Sequence, residues 1–539
     1  MFGSSAYLWS IEGTTWSKNS RSTPSGNLTL RIYDPLTCTL LCTIINARNL
    51  NMISDVNATE QGALLGWYVD GGNLIMWNST RAIAYPTGDF SVPQRRYVPS
   101  GIINWSAGIQ WSVPLPRTLD NKSIGFTIAK VSPEVILLNY APTYFTLASA
   151  GYIVTAGYNA RTGTLRWGPI NQTLPAFEAI GIGDPAETFM LAGARDGVYI
   201  MMNKDKMEVY GYSLNNGERL WGPVKLPSNA LSPMAPGMEI SYGKVFIWDY
   251  AGFVHALDLQ TGKIQWTLYP RDTGFDKSSE WPHAGSICDG MLFLGEGSLY
   301  NPPLYPNARM LAINCTTGEV VWSILGYSCR LVAAHADGMM VRWNSYDKQI
   351  YTFGKGQTAI KATVQNDIVT HGNSILIKGM VTDESPGTKD SDRTARLPNG
   401  VPVVSDESMP PWMEYVYQQQ PKPTNTTGVT VTLSVLDSNN NHREIGTTTS
   451  DAYGFYSYQW TPDIPGKYSV FASFAGSESY WPSETVTAFN VMEAQPTATP
   501  VATAQPSMAD LYFVPAIAGL FVFIAIIGVV IILMLRKRP

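Results

Sequence analysis

Five histidines (His255, His283, His335, His371 and His442) and five cysteines (Cys38, Cys42, Cys288, Cys315 and Cys329) are the side chains with most capacity for metal binding or nucleophilic work. Their spacing supports neither. No H-E-x-x-H places two histidines on one helix face, no G-x-S-x-G presents a strained serine, and no C-x-x-C sets up a thiolate pair. Residues 354–359, GKGQTA, imitate a dinucleotide-binding glycine loop, but they lie between β-type segments with no helix to receive a pyrophosphate. The acidic run of Asp383, Glu384, Asp390 and Asp392 has oxygen ligands for calcium, without the glycine at fixed offset that a calcium loop uses. The richest mixture of polar and aromatic groups is in two long connections, residues 271–283 and 295–305. These supply Arg271, Asp276, Trp281, His283, Glu296 and Tyr300, which suit either a polar ligand held against an aromatic face or ordinary loop packing.

The elements that must position those loops repeat along the chain. Gly163 leads Trp167, Gly217 leads Trp221, Gly262 leads Trp266 and Gly318 leads Trp322, each by four residues and after a polar turn, with steps of 54, 45 and 56 between tryptophans. Chance pairing of 47 glycines with 16 tryptophans in 539 residues gives about 1.4 such pairs, so this is a repeat. Around Trp266 the unit reads as apolar strands joined by tight turns, with glycine supplying a positive φ. A unit this short cannot cover both faces of its own sheet, so units must stack, and repeats of this length stack as propeller blades. Weaker copies occur at residues 33–44, with Cys38 in the glycine slot and Cys42 in the tryptophan slot, and around Trp105 and Trp111, where the register is ambiguous. Residues 337–354 supply two further strands. Closing a ring of seven or eight blades calls for another strand, which we expect upstream of the first blade.

The TG-x-x-x-W pattern resembles the quinoprotein-type repeat named for pyrroloquinoline quinone, which alcohol dehydrogenases of that class share with non-enzymatic propellers such as the lipoprotein of the outer-membrane assembly machine. The resemblance spans residues 1–357 and implies a fold. In catalytic members it also implies a quinone with calcium on carboxylate and amide ligands, often above adjacent cysteines; here no two cysteines are adjacent. The overall layout resembles archaeal surface proteins known by that repeat.

Residues 358–492 read as an immunoglobulin-like sandwich, with alternating strands such as ILIKGMVTD and KYSVFASF, and a proline-rich insertion at 383–427. Within the insertion a short helix is predicted to pack Trp412, Tyr415 and Val416 on the sandwich. Residues 493–510 form a Pro/Thr/Ala-rich stalk, and residues 511–535 carry no charge and span a bilayer as one helix. Arg536, Lys537 and Arg538 follow, placing the tail (536–539) in the cytoplasm and the bulk outside. The opening residues do not read as a signal peptide, so an export signal is expected further upstream. Eight N-x-S/T sequons (Asn27, Asn57, Asn78, Asn104, Asn121, Asn171, Asn314 and Asn425) are candidate glycosylation sites.

With 12% aromatic and 15% charged residues, 47 glycines and 36 prolines, the composition is that of an all-β chain. A net charge of -5 without a basic patch before the tail argues against nucleic acid. The expectation is a β-propeller, a sandwich and one transmembrane helix forming a non-catalytic plasma-membrane protein with no cofactor and with protein or glycan partners. A tethered quinoprotein dehydrogenase using pyrroloquinoline quinone and calcium, and an assembly scaffold, are the alternatives.

Overall fold

The computed structural model describes residues 7–12, 28–48, 51–52, 64–86, 98–140, 152–173, 189–203, 206–230, 232–233, 237–270, 283–296, 307–327, 333–494 and 505–537. The chain divides into two compact units. The first comprises residues 1–357, 384–427 and 476–481, and the second 358–383, 428–475 and 482–539.

Among the described residues, the first unit contains seven sheets of three or four strands, taken in chain order, and one two-stranded ribbon, Thr118–Leu119 with Lys122–Ser123. The first joins Leu8–Glu12, Leu28–Tyr33 and Leu40–Ala47 with Gly101–Asn104, which runs parallel to its neighbour. The second joins Asn51–Met52, Leu65–Asp70, Asn73–Asn78 and Ile109–Pro114, with helix α1 (Ser79–Ala84) between its last two strands. The next four are antiparallel meanders. They begin at Thr127–Val131, Phe189–Arg195, Gly237–Ser241 and His283–Cys288, and each takes its four strands consecutively. The seventh has three strands, Ala334–Ala336, Met339–Asn344 and Gln349–Phe353, one more than the pattern of residues 337–354 predicts.

Period-two alternation explains why these sheets stack. In Val198–Asn203 every residue is buried. Val198, Ile200 and Met202 pack with Val245, Ile247 and Leu257 of the fifth sheet. The intervening Tyr199 and Met201 pack with Val135, Leu137 and Ile153 of the third. In the third sheet Ile136 and Leu138 turn the other way, onto Trp67, Leu74 and Met76 of the second. In the fifth, Phe246 and Trp248 face Leu292 and Leu294 of the sixth. A strand covered on both faces is apolar along nearly its whole length, and each buried apolar side chain stabilises the stack by roughly 1.5–3 kcal/mol. This is a propeller-like series of sheets, each serving as its neighbours' core.

The repeated tryptophan joins one sheet to the next. The indole N–H of Trp111 donates to the Arg161 carbonyl (2.7 Å), Trp167 to Leu214 (2.7 Å), Trp221 to Leu259 (2.9 Å) and Trp266 to Cys315 (3.2 Å). Each acceptor lies in the following sheet's hairpin, whose glycine sits over the same ring. A Cβ added at Gly262 would lie 2.4 Å from Trp221, and one at Gly211, which pairs with Trp221 in its own sheet, would lie 2.2 Å away. The ring is therefore held between two glycines. Trp111 occupies the repeat position, whereas Trp105 stacks on Trp77 at 4.2 Å, which resolves the ambiguous register. Cys38 takes a φ of 54° in the glycine slot but is exposed, so of the two thiols expected to pack in the weak first copy only Cys42 is buried.

Residues 384–427 belong with the first unit, not with the sandwich into which the sequence inserts them. They carry helix α2 (Ser391–Arg396) and helix α3 (Met409–Gln418). Glu414 of α3 accepts from Arg309 (2.8 Å) and from the Leu325 backbone N–H (2.8 Å), and Gln418 donates to the Leu325 carbonyl (2.8 Å). Trp412 and Val416 are fully buried with Val401 and Val404, in a core internal to the insertion, with Tyr415 at its margin. The helix follows its polar partners in the sixth sheet, which a count of apolar positions does not register.

The second unit is a two-sheet sandwich. One sheet contains Thr358–Val364, Ile375–Asp383 and Phe455–Trp460, and the other orders Ile368–Thr370, Ser483–Met492, Gly466–Phe474, Thr430–Leu436 and His442–Thr449. Trp460 of the first sheet meets Tyr468 and Phe489 of the second edge-on at 5.5 and 6.5 Å. Helix α4 (Met508–Leu535) begins three residues before the uncharged run, because Ser507 caps it by accepting from the Asp510 N–H. It is long and apolar enough to cross a membrane, with a mean hydropathy of 3.2 and none of that span buried against protein.

Candidate functional site

Of the six loop residues singled out for a polar ligand, Arg271, Asp276, Trp281 and Tyr300 lie outside the described residues, as does the side chain of His283. Glu296 is described, and it is buried with Oε2 accepting from the Arg309 N–H at 3.0 Å. That carboxylate secures the hairpin between the second and third strands of the sixth sheet.

The first strands of successive sheets adjoin one another, which brings Lys130, Arg195, Glu239, Ser286 and His335 onto neighbouring strands. Glu239 keeps solvent access, yet the surrounding protein raises its carboxyl above the ordinary range, against the opposing charges of Lys130 and Arg195. Arg195 is held by a long bond to the Ile240 carbonyl (3.5 Å). Ser286 Oγ and His335 Nε2 are 2.8 Å apart, the separation of a nucleophile and its base. Burial and then the charge of Arg342 make His335 a weaker base than usual, and among the described residues no carboxylate orients its second nitrogen. Phe293 packs on the same ring at 5.2 Å. The pair is therefore suited to joining the sixth and seventh sheets rather than to activating serine.

Two other buried groups are perturbed. Burial pushes Asp249 up to about 6, even though its Oδ1 accepts from the Ala251 and Phe253 N–H groups. Burial pushes His255 down to about 4, leaving a neutral ring bonded to Thr267 Oγ1 at 3.1 Å. Sequence spacing contains no sign of either shift, because both arise from sheets packed on each face.

Among the described residues no three of His, Cys, Asp and Glu converge as a metal-binding set, and Cys38, Cys288 and Cys315 are free thiols. The acidic run is ion-paired locally: Glu384 with Lys389 (2.5 Å), Asp390 with Arg393 (2.5 Å) and Asp392 with Arg396 (3.2 Å). Gly356 leads into the strand Thr358–Val364, so GKGQTA has no helix to present to a phosphate.

A shallow cleft of about 610 Å³ opens in the insertion, between Ser405, Ser408 and Pro411 on one side and Pro423 to Thr427 on the other. The candidate sequons have different surroundings. Asn27 and Asn57 lie outside the described residues. Asn78 is buried, capping α1 through Oδ1 and donating to Gln110 at 2.9 Å. Asn104 caps a 3-10 turn, Asn314 accepts two N–H groups of a repeat hairpin, and Asn171 lies inside a strand. Asn121 has a φ of 60° in a tight turn, and Asn425 is exposed beside the cleft.

No family model and no curated protein matches the chain by sequence. Solved structures do match in shape. A computationally designed protein, Ika8, is 14% identical with a TM-score of 0.35, covering 62% of this chain and 82% of its own. BamB from Moraxella catarrhalis is 13% identical with a TM-score of 0.28, covering 76% and 99%. Hsv2p of Kluyveromyces lactis is 10% identical with a TM-score of 0.33, covering 64% and 89%. At these TM-scores the architecture rests on the sheets and their packing.

Proposed function

We propose that this chain is a membrane-anchored surface protein whose stacked sheets and immunoglobulin-like sandwich act as a non-catalytic scaffold for protein or glycan partners. The observation that carries the reading is α4, an apolar helix of 28 residues that buries nothing against protein and runs directly into Arg536 and Lys537. A helix apolar on every side has its stable place in lipid, and the adjoining cations favour the cytoplasmic side. The sheet series supports a scaffold role, because its inner strands are consumed in packing and the Ser286–His335 pair that joins its sixth and seventh sheets is poorly set for catalysis. Closure of the series into a seven- or eight-bladed ring belongs to the same proposal.

The test is protease added to intact cells. The reading expects digestion of the 1–492 region and survival of a membrane-embedded fragment containing α4. Full protection of that region before lysis, with digestion after it, would overturn the outward orientation. Dye-linked oxidation of alcohols or sugars by the purified chain would overturn the non-catalytic part.

A further inference from the structure

We infer that Asn425 is an N-glycan acceptor of this protein, and that the cleft beside it seats the first sugar; the inference rests on the outward orientation proposed above. The sequon is Asn425-Thr426-Thr427, in a loop between Pro423 and the strand Thr430–Leu436. The loop is fixed at both sides of the acceptor. Thr426 Oγ1 donates to the Pro423 carbonyl (3.4 Å), the Thr427 N–H donates to Ser408 Oγ (3.0 Å), and the Ser405 N–H donates to the Thr427 carbonyl (2.9 Å). These bonds hold the backbone and leave the exposed Asn425 amide as the one polar side chain of the sequon without a hydrogen bond to protein among the described residues, apart from the Thr427 hydroxyl that the sequon itself requires.

Among the other described sequons, Asn78, Asn104 and Asn314 spend their asparagine on the fold, whereas Asn121 and Asn171 are exposed in a turn and a strand. Asn78 is buried with its nitrogen donating to Gln110, so a C–N bond to sugar there would break that contact and the cap of α1. Asn314 and Asn104 hold backbone N–H groups of turns. At Asn425 nothing has to be broken.

The cleft fits the attached group. Its volume is about 610 Å³, and it is lined beside the sequon by Ser405, Glu407, Ser408, Thr424 and the prolines Pro411 and Pro423. Hydroxyls match sugar hydroxyls, and proline rings match the apolar C–H face of a pyranose. In the transfer, Nδ2 of Asn425 bonds to the anomeric carbon of a sugar carried on a lipid phosphate. The bond from that carbon to the phosphate oxygen breaks, Nδ2 loses one proton, and the lipid phosphate leaves.

The experiment is glycopeptide mass spectrometry on the full chain, recovered from membranes of a host that N-glycosylates its exported proteins. The peptide containing Asn425 should carry sugar and the peptide containing Asn78 should not. Asn425→Gln and Thr427→Ala should each remove one glycan from the intact protein, whereas Thr80→Ala, which keeps the Asn78 cap, should remove none. Sugar at Asn78, or an unmodified Asn425 on a chain digested from outside intact cells, overturns the inference. An unmodified Asn425 on a chain protected from outside protease overturns the orientation as well, so the two failures are distinguishable.

Discussion

Gly262 and Gly290 share a φ of +71°, yet only Gly262 lies over an indole; at Gly290 an added Cβ meets nothing within 4 Å. The pair therefore separates backbone strain from packing. Alanine at either position adopts a left-handed conformation at a cost of roughly 1–2 kcal/mol. At Gly262 the methyl would also stand 2.4 Å from Trp221, and such overpacking costs about 1–3 kcal/mol more. Gly262→Ala should consequently lower the melting temperature clearly further than Gly290→Ala. Equal shifts in thermal unfolding would mean that the repeated glycine is kept for its turn and not for the tryptophan. The four-residue offset of glycine and tryptophan is legible in the sequence, but their partnership is not. Trp221 and Gly217 share a hairpin while Trp221 and Gly262 share a contact, and only stacking reveals that the motif is read between neighbours. The candidate ligand residues are less legible still, since Glu296 is polar and lies in a loop by pattern but is spent on the Arg309 backbone.

At the scale of elements, the hairpin formed by Lys244–Trp248 and Val254–Asp258 carries two buried groups with opposite pH dependences. Asp249 is raised to about 6 from an ordinary value near 3.8, so the folded state holds a proton that the unfolded state has released. Its contribution to stability falls as pH rises from about 4 to 6. His255 is lowered to about 4 from 6.5, so the unfolded state binds the extra proton and stability rises over nearly the same interval. Each is an effect of roughly 3 kcal/mol by the usual conversion, and together they largely cancel. Asp249→Asn retains the Oδ1 that accepts from Ala251 and Phe253 and removes one of the two slopes. Its melting temperature should climb between pH 4 and 6.5 more steeply than that of the unsubstituted chain; parallel profiles would show that Asp249 does not titrate in this range. Helix α3 offers a second test. Glu414→Ala leaves the Leu325 N–H and the Arg309 guanidinium without this acceptor, a loss of about 1–3 kcal/mol, and should speed proteolytic cleavage within residues 384–427. Unchanged cleavage would mean that the apolar core around Trp412 fixes the insertion alone. The existence of α3 follows from its sequence, whereas its attachment depends on Arg309, about a hundred residues earlier, and has no local signature.

For the whole molecule, the proposed location rests on α4. At about 1.5 Å per residue its 28 residues extend roughly 42 Å, longer than the ~30 Å hydrocarbon core. In the proposed bilayer placement the excess would accommodate Met508 to Asp510 and the Tyr512 and Phe513 rings at the interface, with Arg536 and Lys537 beyond the other end. This segment is the most legible part of the chain, because lipid selects by composition alone and needs no knowledge of tertiary partners. The stacked sheets are legible to the level of strands and turns, and their order of packing follows from alternation once each strand is known to be covered twice. If α4 is the anchor, a chain ending at residue 507 should leave the membrane fraction and remain folded, with the same unfolding transitions for both units. The full chain should resist extraction by high salt and alkaline carbonate and require detergent. Two central substitutions, Ile524→Arg and Ile527→Arg, place charge where each arginine costs about 2.5–3.5 kcal/mol, and should release the full-length chain in the same way as truncation. Retention of the truncated chain in the pellet would assign membrane attachment to the sheets or the sandwich, and the orientation drawn from the basic tail would lose its basis.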